Sequence, residues 1–390
     1  MTETNTTGAP LAGIVVVALE AAVSAPFATR QLADLGATII KVERRNGGDF
    51  ARDYDTTVGG SSAFFVWANR GKQSIQLDVK DDEDRKTFDA LIAGADVFIQ
   101  NLSPAAAARL GITADQLREV HPQLISCDIS GYGTGGPRTD DKAYDLAIQA
   151  EAGAIALTGS PEEASKVGVS IADISAAMYA LSSILAALYR RETSNVGASI
   201  EVSMLESLAE WTAPPTYAAI GRGSIPERSA RRHTMIAPYG LQRLADGTEV
   251  LIAVQSNRDW STFAEQVLLQ PALIRDPRFA DNGDRIANVD ELDAVIAAVF
   301  EASTPDAVRG RLRASGIAHS SVRDAPEVWN HEQLRARDRF MEVTTPTGTT
   351  ETYRPPFNIS GLPIPGDVVP TLGQHDEQFV ADLVADHDTS

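Results

Sequence analysis

Residues 14–45 read IVVVALEAAVSAPFATRQLADLGATIIKVERR, and they decide the fold. The run 14–19 is apolar without interruption, the mark of a strand covered on both faces. Residues 26–35 follow as a helix, and Gly36 is its stop signal. Residues 37–42 (ATIIKV) make a second strand that runs into Glu43, Arg44 and Arg45. Strand, helix and strand in so short a span predict a βαβ unit and therefore parallel pairing. No GxGxxG accompanies the unit, so the dinucleotide fingerprint is missing.

Outward from this stretch the alternation continues. Residues 61–67 read as a short helix, and NRGKQSIQLDVK (69–80) as a basic turn and a strand. A helix over 81–93 leads to the strand ADVFIQN, which ends in Asn101. Residues 103–133 supply helix, helix, strand and a Gly-rich turn containing Tyr132. The class is α/β, with a Rossmann-like parallel sheet in a large domain and a smaller α/β domain behind it. Ligands of such sheets bind at the carboxyl ends of the strands, where Arg44, Asn101 and Tyr132 fall. Further on, residues 198–211 predict a strand running into a helix that stops before Pro214 and Pro215. A hairpin about Asp246-Gly247 follows, then helices over 258–268, 289–303 and 305–315, a strand at 317–322 and a helix at 326–335.

Composition sets the outer bounds. With 390 residues, 43% hydrophobic and 22% charged, the chain has ample material for more than one core. A net charge of −19 argues against a nucleic-acid binder, so an anionic ligand must be met by local positive charge. One cysteine, Cys127, excludes an internal disulfide and reads as a buried apolar residue of its strand. No Cys/His cluster has metal-ligand spacing, and no metal is expected. The start lacks the pattern of a signal peptide, and no charge-free apolar run is long enough to span a bilayer. A cytoplasmic protein without membrane contact is the expectation.

The chemistry concentrates in residues 142–191. A charged and aromatic entry (Lys142, Tyr144, Asp145) leads through small residues to a β-branched run at 167–171 and then to Asp173. Residues 174–190 read as a buried helix with a basic last turn. An acid at a strand-to-helix junction sits where free backbone N–H groups collect. Its local alternative is a helix cap, and the same alternative holds for Asp145.

Five segments in order, LADLGATIIKVERR, NRGKQSIQLDVK, KAYDLAIQAEAG, VSIADISAAMYALSSILAALYRRETS and PTLGQHDEQFVADL, resemble the family III CoA-transferases. That group contains formyl-CoA transferase, the carnitine CoA-transferases and the 2-methylacyl-CoA racemases. The resemblance implies that Asp173 is the catalytic nucleophile. It also implies that Val23, Ser24, Arg44, Leu77, Lys80, Asn101, Arg109, Lys142, Tyr144 and Asp145 line the site of coenzyme A, the substrate and product thioester. Val23 and Ser24 stand where formyl-CoA transferase carries Gln and Ala. The tetraglycine lid loop of formyl-CoA transferase is missing.

The implied architecture is a large CoA-binding domain over 1–216 completed by 323–390, a linker at 217–225 and a small domain at 226–322. Two subunits interlock as a homodimer in this family. The motifs look closest to members acting on C4–C5 dicarboxylic acids (succinyl, malyl, itaconyl or mesaconyl groups). Arg228 to His233 is then a candidate for the distal carboxylate. The partners are an acyl-CoA and a free carboxylic acid. A 2-methylacyl-CoA racemase and a catalytically inactive CoA-binding subunit are the alternatives. An ordinary aspartate is ionised at neutral pH, so the nucleophile is expected to need no base. The N–H groups of its helix are expected to hold the oxyanion.

Overall fold

The computed structural model describes residues 8–225, 227–362 and 366–375. They form two compact units, one from the described parts of 1–154, 167–214 and 333–390, the other from 155–166 and 215–332.

In chain order the first unit opens with β1 (Val15–Leu19), α1 (Ser24–Asp34), β2 (Thr38–Glu43), α2 (Ala63–Asn69), β3 (Gln73–Gln76), α3 (Asp82–Ala93) and β4 (Val97–Gln100). It continues with α4 (Pro104–Leu110), α5 (Ala114–Val120), β5 (Ile125–Ser130), α6 (Asp145–Glu151), the short α7 (Ala154–Leu157, of which Ala154 alone belongs to this unit), α8 (Ile171–Ser194), β6 (Ala198–Ser203) and α9 (Met204–Trp211). The strands form one sheet in the order β3-β2-β1-β4-β5-β6, and every pair is parallel. The chain order reverses between β1 and β4, which opens a ligand crevice at their carboxyl ends.

The unbroken apolar run of β1 has a simple cause. Val16 and Ala18 pack with α1 and α8 on one face, while Val15 and Val17 pack with Phe88, Leu91 and Phe98 on the other. Each fully buried side chain of this size stabilises by about 1.5–3 kcal/mol. Cys127 is buried in β5, as its apolar strand suggests, and burial pushes its thiol far above the ordinary range. Helix α8 is long and apolar enough to cross a membrane by length and composition, but its stripe Ala172, Ala176, Ala180, Ile184 and Leu188 is buried in this core. Small residues at i, i+4 spacing let it lie close to Ala25 and Ala28 of α1.

Helix α10 (Ala213–Arg222) follows, then β7 (Tyr239–Arg243), β8 (Glu249–Ala253), α11 (Asn257–Thr262), α12 (Asn282–Ala287), α13 (Val289–Glu301), α14 (Pro305–Ser315) and β9 (Ala318–Ser321). Strands β7-β8-β9 make an antiparallel sheet. Trp260, Phe263, Phe279, Leu292, Ile296, Phe300, Val308 and Leu312 fill the second unit's core. The last described elements are α15 (Ala325–Trp329), α16 (Glu332–Ala336) and the hairpin β10 (Phe340–Thr345) and β11 (Gly348–Tyr353).

Four expectations change. Residues 167–170 are not a strand, because the backbone N–H of Val167 bonds the side chain of Gln149 instead of a ladder partner. Helix α9 stops at Trp211, before Pro214 and Pro215, but the linker expected over 217–225 is helical as far as Arg222: the Pro pair sits in the first turn of α10, where an absent N–H costs no hydrogen bond. The helix expected over 258–268 is α11 followed by a π-helical turn, Phe263–Val267. The one expected over 326–335 is two helices, α15 and α16.

Candidate active site

Asp173 is the third residue of α8, and the N-cap position belongs to Ser170. It is therefore not the cap that local sequence allows. The capping is done by Asp145, the first residue of α6, whose Oδ1 accepts from the backbone N–H groups of Ala172 (2.8 Å) and Asp173 (3.3 Å). Buried Gln149, one turn further along α6, donates to Asp145 Oδ2 at 2.7 Å and accepts from Val167 N at 2.9 Å. Asp145 thus orders the first turn of α8. It also occupies N–H groups that the sequence assigned to an oxyanion.

On the other side of Asp173 lies the turn between β1 and α1. The Ser24 hydroxyl stands close enough to the Asp173 carboxylate to favour its charged form. Asn101, just past β4, pairs in both directions with Ala21: its Oδ1 accepts from Ala21 N at 3.0 Å and its amide donates to Ala21 O at 2.8 Å. The same amide donates to Ser24 Oγ at 3.2 Å. These bonds cross the crevice between β1 and β4. Ala22 sits at φ 64°, a left-handed conformation that costs an L-residue about 1–2 kcal/mol. It is held by Asp49, whose Oδ1 accepts from Ala22 N at 3.0 Å.

The electrostatics of Asp173 follow from these neighbours. Burial first, and the charge of Asp145 second, push its carboxyl up to about 7, while the Ser24 hydroxyl pulls it down. Among the described residues no cation is one of the groups that act on it. The expectation of an ordinary, fully ionised aspartate is thereby corrected: near neutral pH Asp173 is divided between its two forms. Tyr54 stands close enough to feel it, its phenol raised by burial and then by Asp49, Asp173 and Tyr144.

Beneath the turn lies a buried ionic cluster that sequence reasoning missed. Lys41, in the middle of β2, binds Asp49 at 2.9 Å and Glu20 at 3.4 Å. Lys72 binds Glu20 at 2.6 Å, and Arg52 binds Glu43 at 2.6 Å. Lys41 inside an apolar strand was the available signal, since lysine is almost never buried without a partner. Gly48 belongs to the same turn: at φ 61° it brings its backbone so close that a Cβ would stand 2.8 Å from Glu43 Oε2.

The remaining sequence candidates are placed as follows. Val23 is buried at the N-cap of α1. Leu77 is buried in the core, so only its main chain can meet a ligand. Arg44 is exposed past β2, with its guanidinium on Gly48 O at 2.9 and 3.0 Å. Lys80, Arg109 and Lys142 are exposed, as is Tyr144. Among the described residues Arg44, Lys80, Arg109 and Lys142 make no ion pair, whereas Arg45, Arg52, Arg138 and Arg191 all do. Tyr132 packs under Arg138, 4.4 Å from the guanidinium carbon. The Arg228–His233 segment is engaged within the second unit. Arg228 bonds the carbonyls of Ser160 and Pro161, Arg231 pairs with Glu249, and Arg232 pairs with Asp290 and Asp293. His233 stacks on Tyr239. Among the described residues no group of three or more His, Cys, Asp or Glu is arranged to hold a metal.

A parallel sheet whose strand order reverses between β1 and β4 carries a partly buried carboxylate, Asp173, beside the β1–α1 turn, and among the described residues four exposed cations make no ion pair. Residues 11–376 match the family described as CoA-transferase family III, and the chain belongs to that family of transferase enzymes. It is 32% identical over 374 residues to the acetyl-CoA:oxalate CoA-transferase of Acetobacter aceti, covering 95% of this chain and 94% of that one. It is 30% identical over 393 residues to the succinate–glutarate CoA-transferase of Agrobacterium fabrum, covering 98% of each. Among solved structures, a CaiB/BaiF family protein from Brucella suis superposes with a TM-score of 0.83 at 30% identity, covering 96% of this chain and 99% of that one.

Proposed function

We propose that the enzyme transfers coenzyme A from an acyl-CoA to a free dicarboxylic acid of the C4–C5 class, with Asp173 as the covalent relay. The observation that carries this reading is the isolation of Asp173: a carboxylate with no cation among the described residues around it, pushed up to about 7 by burial and by Asp145. A more basic carboxylate is a better nucleophile in its ionised form, and no bound cation blocks it. The relatives' acids, oxalate in one and succinate and glutarate in the other, are dicarboxylates. Succinate and glutarate, with four and five carbons, support the chain length, whereas two-carbon oxalate supports only the dicarboxylate.

The sequence of bonds is balanced without proton transfer. Asp173 attacks the thioester carbonyl, the C–S bond breaks, and CoA leaves as thiolate from a mixed anhydride. The thiolate then attacks the side-chain carboxyl carbon of Asp173 and expels the donor acid as carboxylate. This leaves an aspartyl thioester of CoA. The acceptor carboxylate reverses both steps. Exposed and unpaired Arg44, Lys80, Arg109 and Lys142 are the cations we assign to the phosphates of CoA. Incubation with acyl-CoA and hydroxylamine should convert Asp173 to a hydroxamate in a peptide mass map. An adduct on Asp145, or substantial turnover in Asp173→Asn, would refute the assignment.

The working form we propose is a homodimer. Tyr189 of α8 and Tyr217 and Ile220 of α10 are more than two-thirds exposed and supply apolar surface for a second chain. A solution mass of one chain at working concentration would sink this part.

A further inference from the structure

Helix α8 begins with an unusual division of labour. The N–H groups of Ala172 and Asp173, which could serve a developing oxyanion, are engaged by Asp145. The carboxyl group of Asp173 must nevertheless become electrophilic when the thiolate attacks its carbon, and negative charge then collects on its own oxygen. Some other donor has to face that oxygen.

Ser24 is the side chain in that place. It is buried at the first position of α1, and its oxygen accepts from Asn101 at 3.2 Å. The orientation of the Asn101 amide is settled by its two-way pairing with Ala21, which leaves its second N–H directed at Ser24 Oγ at 3.2 Å. Ser24 Oγ accepts there, and its single proton is left for Asp173. Behind this arrangement, Asp49 fixes Ala22 in its left-handed conformation, and Lys41 fixes Asp49.

We infer that Ser24 is a second catalytic residue: its hydroxyl, aimed by Asn101, donates to the Asp173 carboxyl group in every state of the transfer cycle. The inference rests on Asp173 as the relay. In the resting enzyme the bond favours the ionised nucleophile. In the second step, as the C–S bond forms and the donor carboxylate leaves, the same O–H holds the oxyanion on Asp173. The groups facing Asp173 are Asp145 from α6, Ser24 from α1 and Tyr54, with Asp49 and Tyr144 acting on Tyr54. Among the described residues, Ser24 is the hydroxyl whose proximity favours the charged form of Asp173.

The test is a pH series of CoA transfer for wild type, Ser24→Ala, Ser24→Thr and Asp173→Asn, with CoA affinity measured alongside. Loss of one such donor lowers turnover by about 10²–10³-fold, and Ser24→Ala should do so with CoA affinity unchanged. Its acid limb should move to higher pH, because the one interaction favouring the charged form is gone. Ser24→Thr should restore most of both properties. Wild-type turnover and an unmoved acid limb in Ser24→Ala, with Asp173→Asn inactive, would overturn the role of Ser24 and leave the relay standing. An active Asp173→Asn would instead remove the relay itself.

Discussion

The large unit holds two groups of charged side chains, far apart in sequence, and they are built on opposite plans. Around Ala22, three acids (Glu20, Glu43, Asp49) meet three bases (Lys41, Lys72, Arg52). At the start of α8, Asp145 and Asp173 adjoin with no base among the described groups acting on Asp173. The protonation behaviour diverges accordingly. Burial pushes Glu43 upward, yet Arg52, Lys41 and Ser74 outweigh it and hold that carboxyl at about 2. Burial opposes the charge on Lys41, but Glu20, Asp49 and Glu43 together raise it. Lys72 is the exception within the cluster, drawn down to about 7 by burial. Its three N–H groups still find three acceptors, Glu20 Oε1, Pro26 O and Asn69 Oδ1, the complement of an ammonium. Charge balance makes a rigid support, and imbalance makes a reactive group.

Breaking the balance should therefore cost stability, whereas removing the imbalance should restore some. Lys41→Met leaves Asp49 and Glu20 short of a partner in the interior. Such a loss destabilises by about 3–5 kcal/mol, to be read from urea denaturation. Asp173→Asn is the mirror experiment. The carboxyl of Asp173 is raised in the folded protein from 3.8 to about 7, so the folded state holds the proton more tightly than the unfolded one. That contribution is fully present below pH 3.8 and is lost as pH rises through 7. Asparagine does not titrate, so the variant should gain on wild type between those limits and keep the gain at pH 8. A melting-temperature difference that stays flat with pH would refute the raised carboxyl.

The two regions also differ in how legible they were. Helices and strands follow from local spacing, so β1, α1 and β2 could be read from one continuous stretch. Asp173 was found through its surrounding motif. Ser24, Asn101 and Asp145 came with it as lining residues, but their bonds did not, because Asp145 caps a helix whose first N–H contact lies 27 positions away. Asn101 clamps a turn 80 positions earlier, a contact that exists only once β1 and β4 are neighbours. Asp145 reads locally as a cap for its own helix, and the fold assigns it to another. The 167–171 run misled for the same reason: its β-branched residues suit a strand, but Gln149 supplies the hydrogen bond that a neighbouring strand would have made.

The smallest expected effect belongs to the exposed cations, and it separates two kinds of arginine. Arg45, beside Arg44, is already paired with Asp84, so it has little charge to offer a phosphate. Arg44 is held only by the neutral carbonyl of Gly48 and keeps its charge available. Arg44→Gln should weaken CoA binding about fivefold at low ionic strength, the scale of one partly screened ion contact of roughly 1 kcal/mol. The loss should shrink as salt rises and the Debye length falls to about 8 Å. Arg45→Gln should leave CoA binding nearly unchanged and loosen the start of α3, where Asp84 sits. Dephospho-CoA tells which anion is met, because an equal loss with both ligands moves Arg44 from the 3′-phosphate to the pyrophosphate. Equal effects of the two substitutions on CoA would mean that pairing in the free protein does not decide which arginine serves the ligand, and the contrast between balanced and unbalanced charge would fail at the surface.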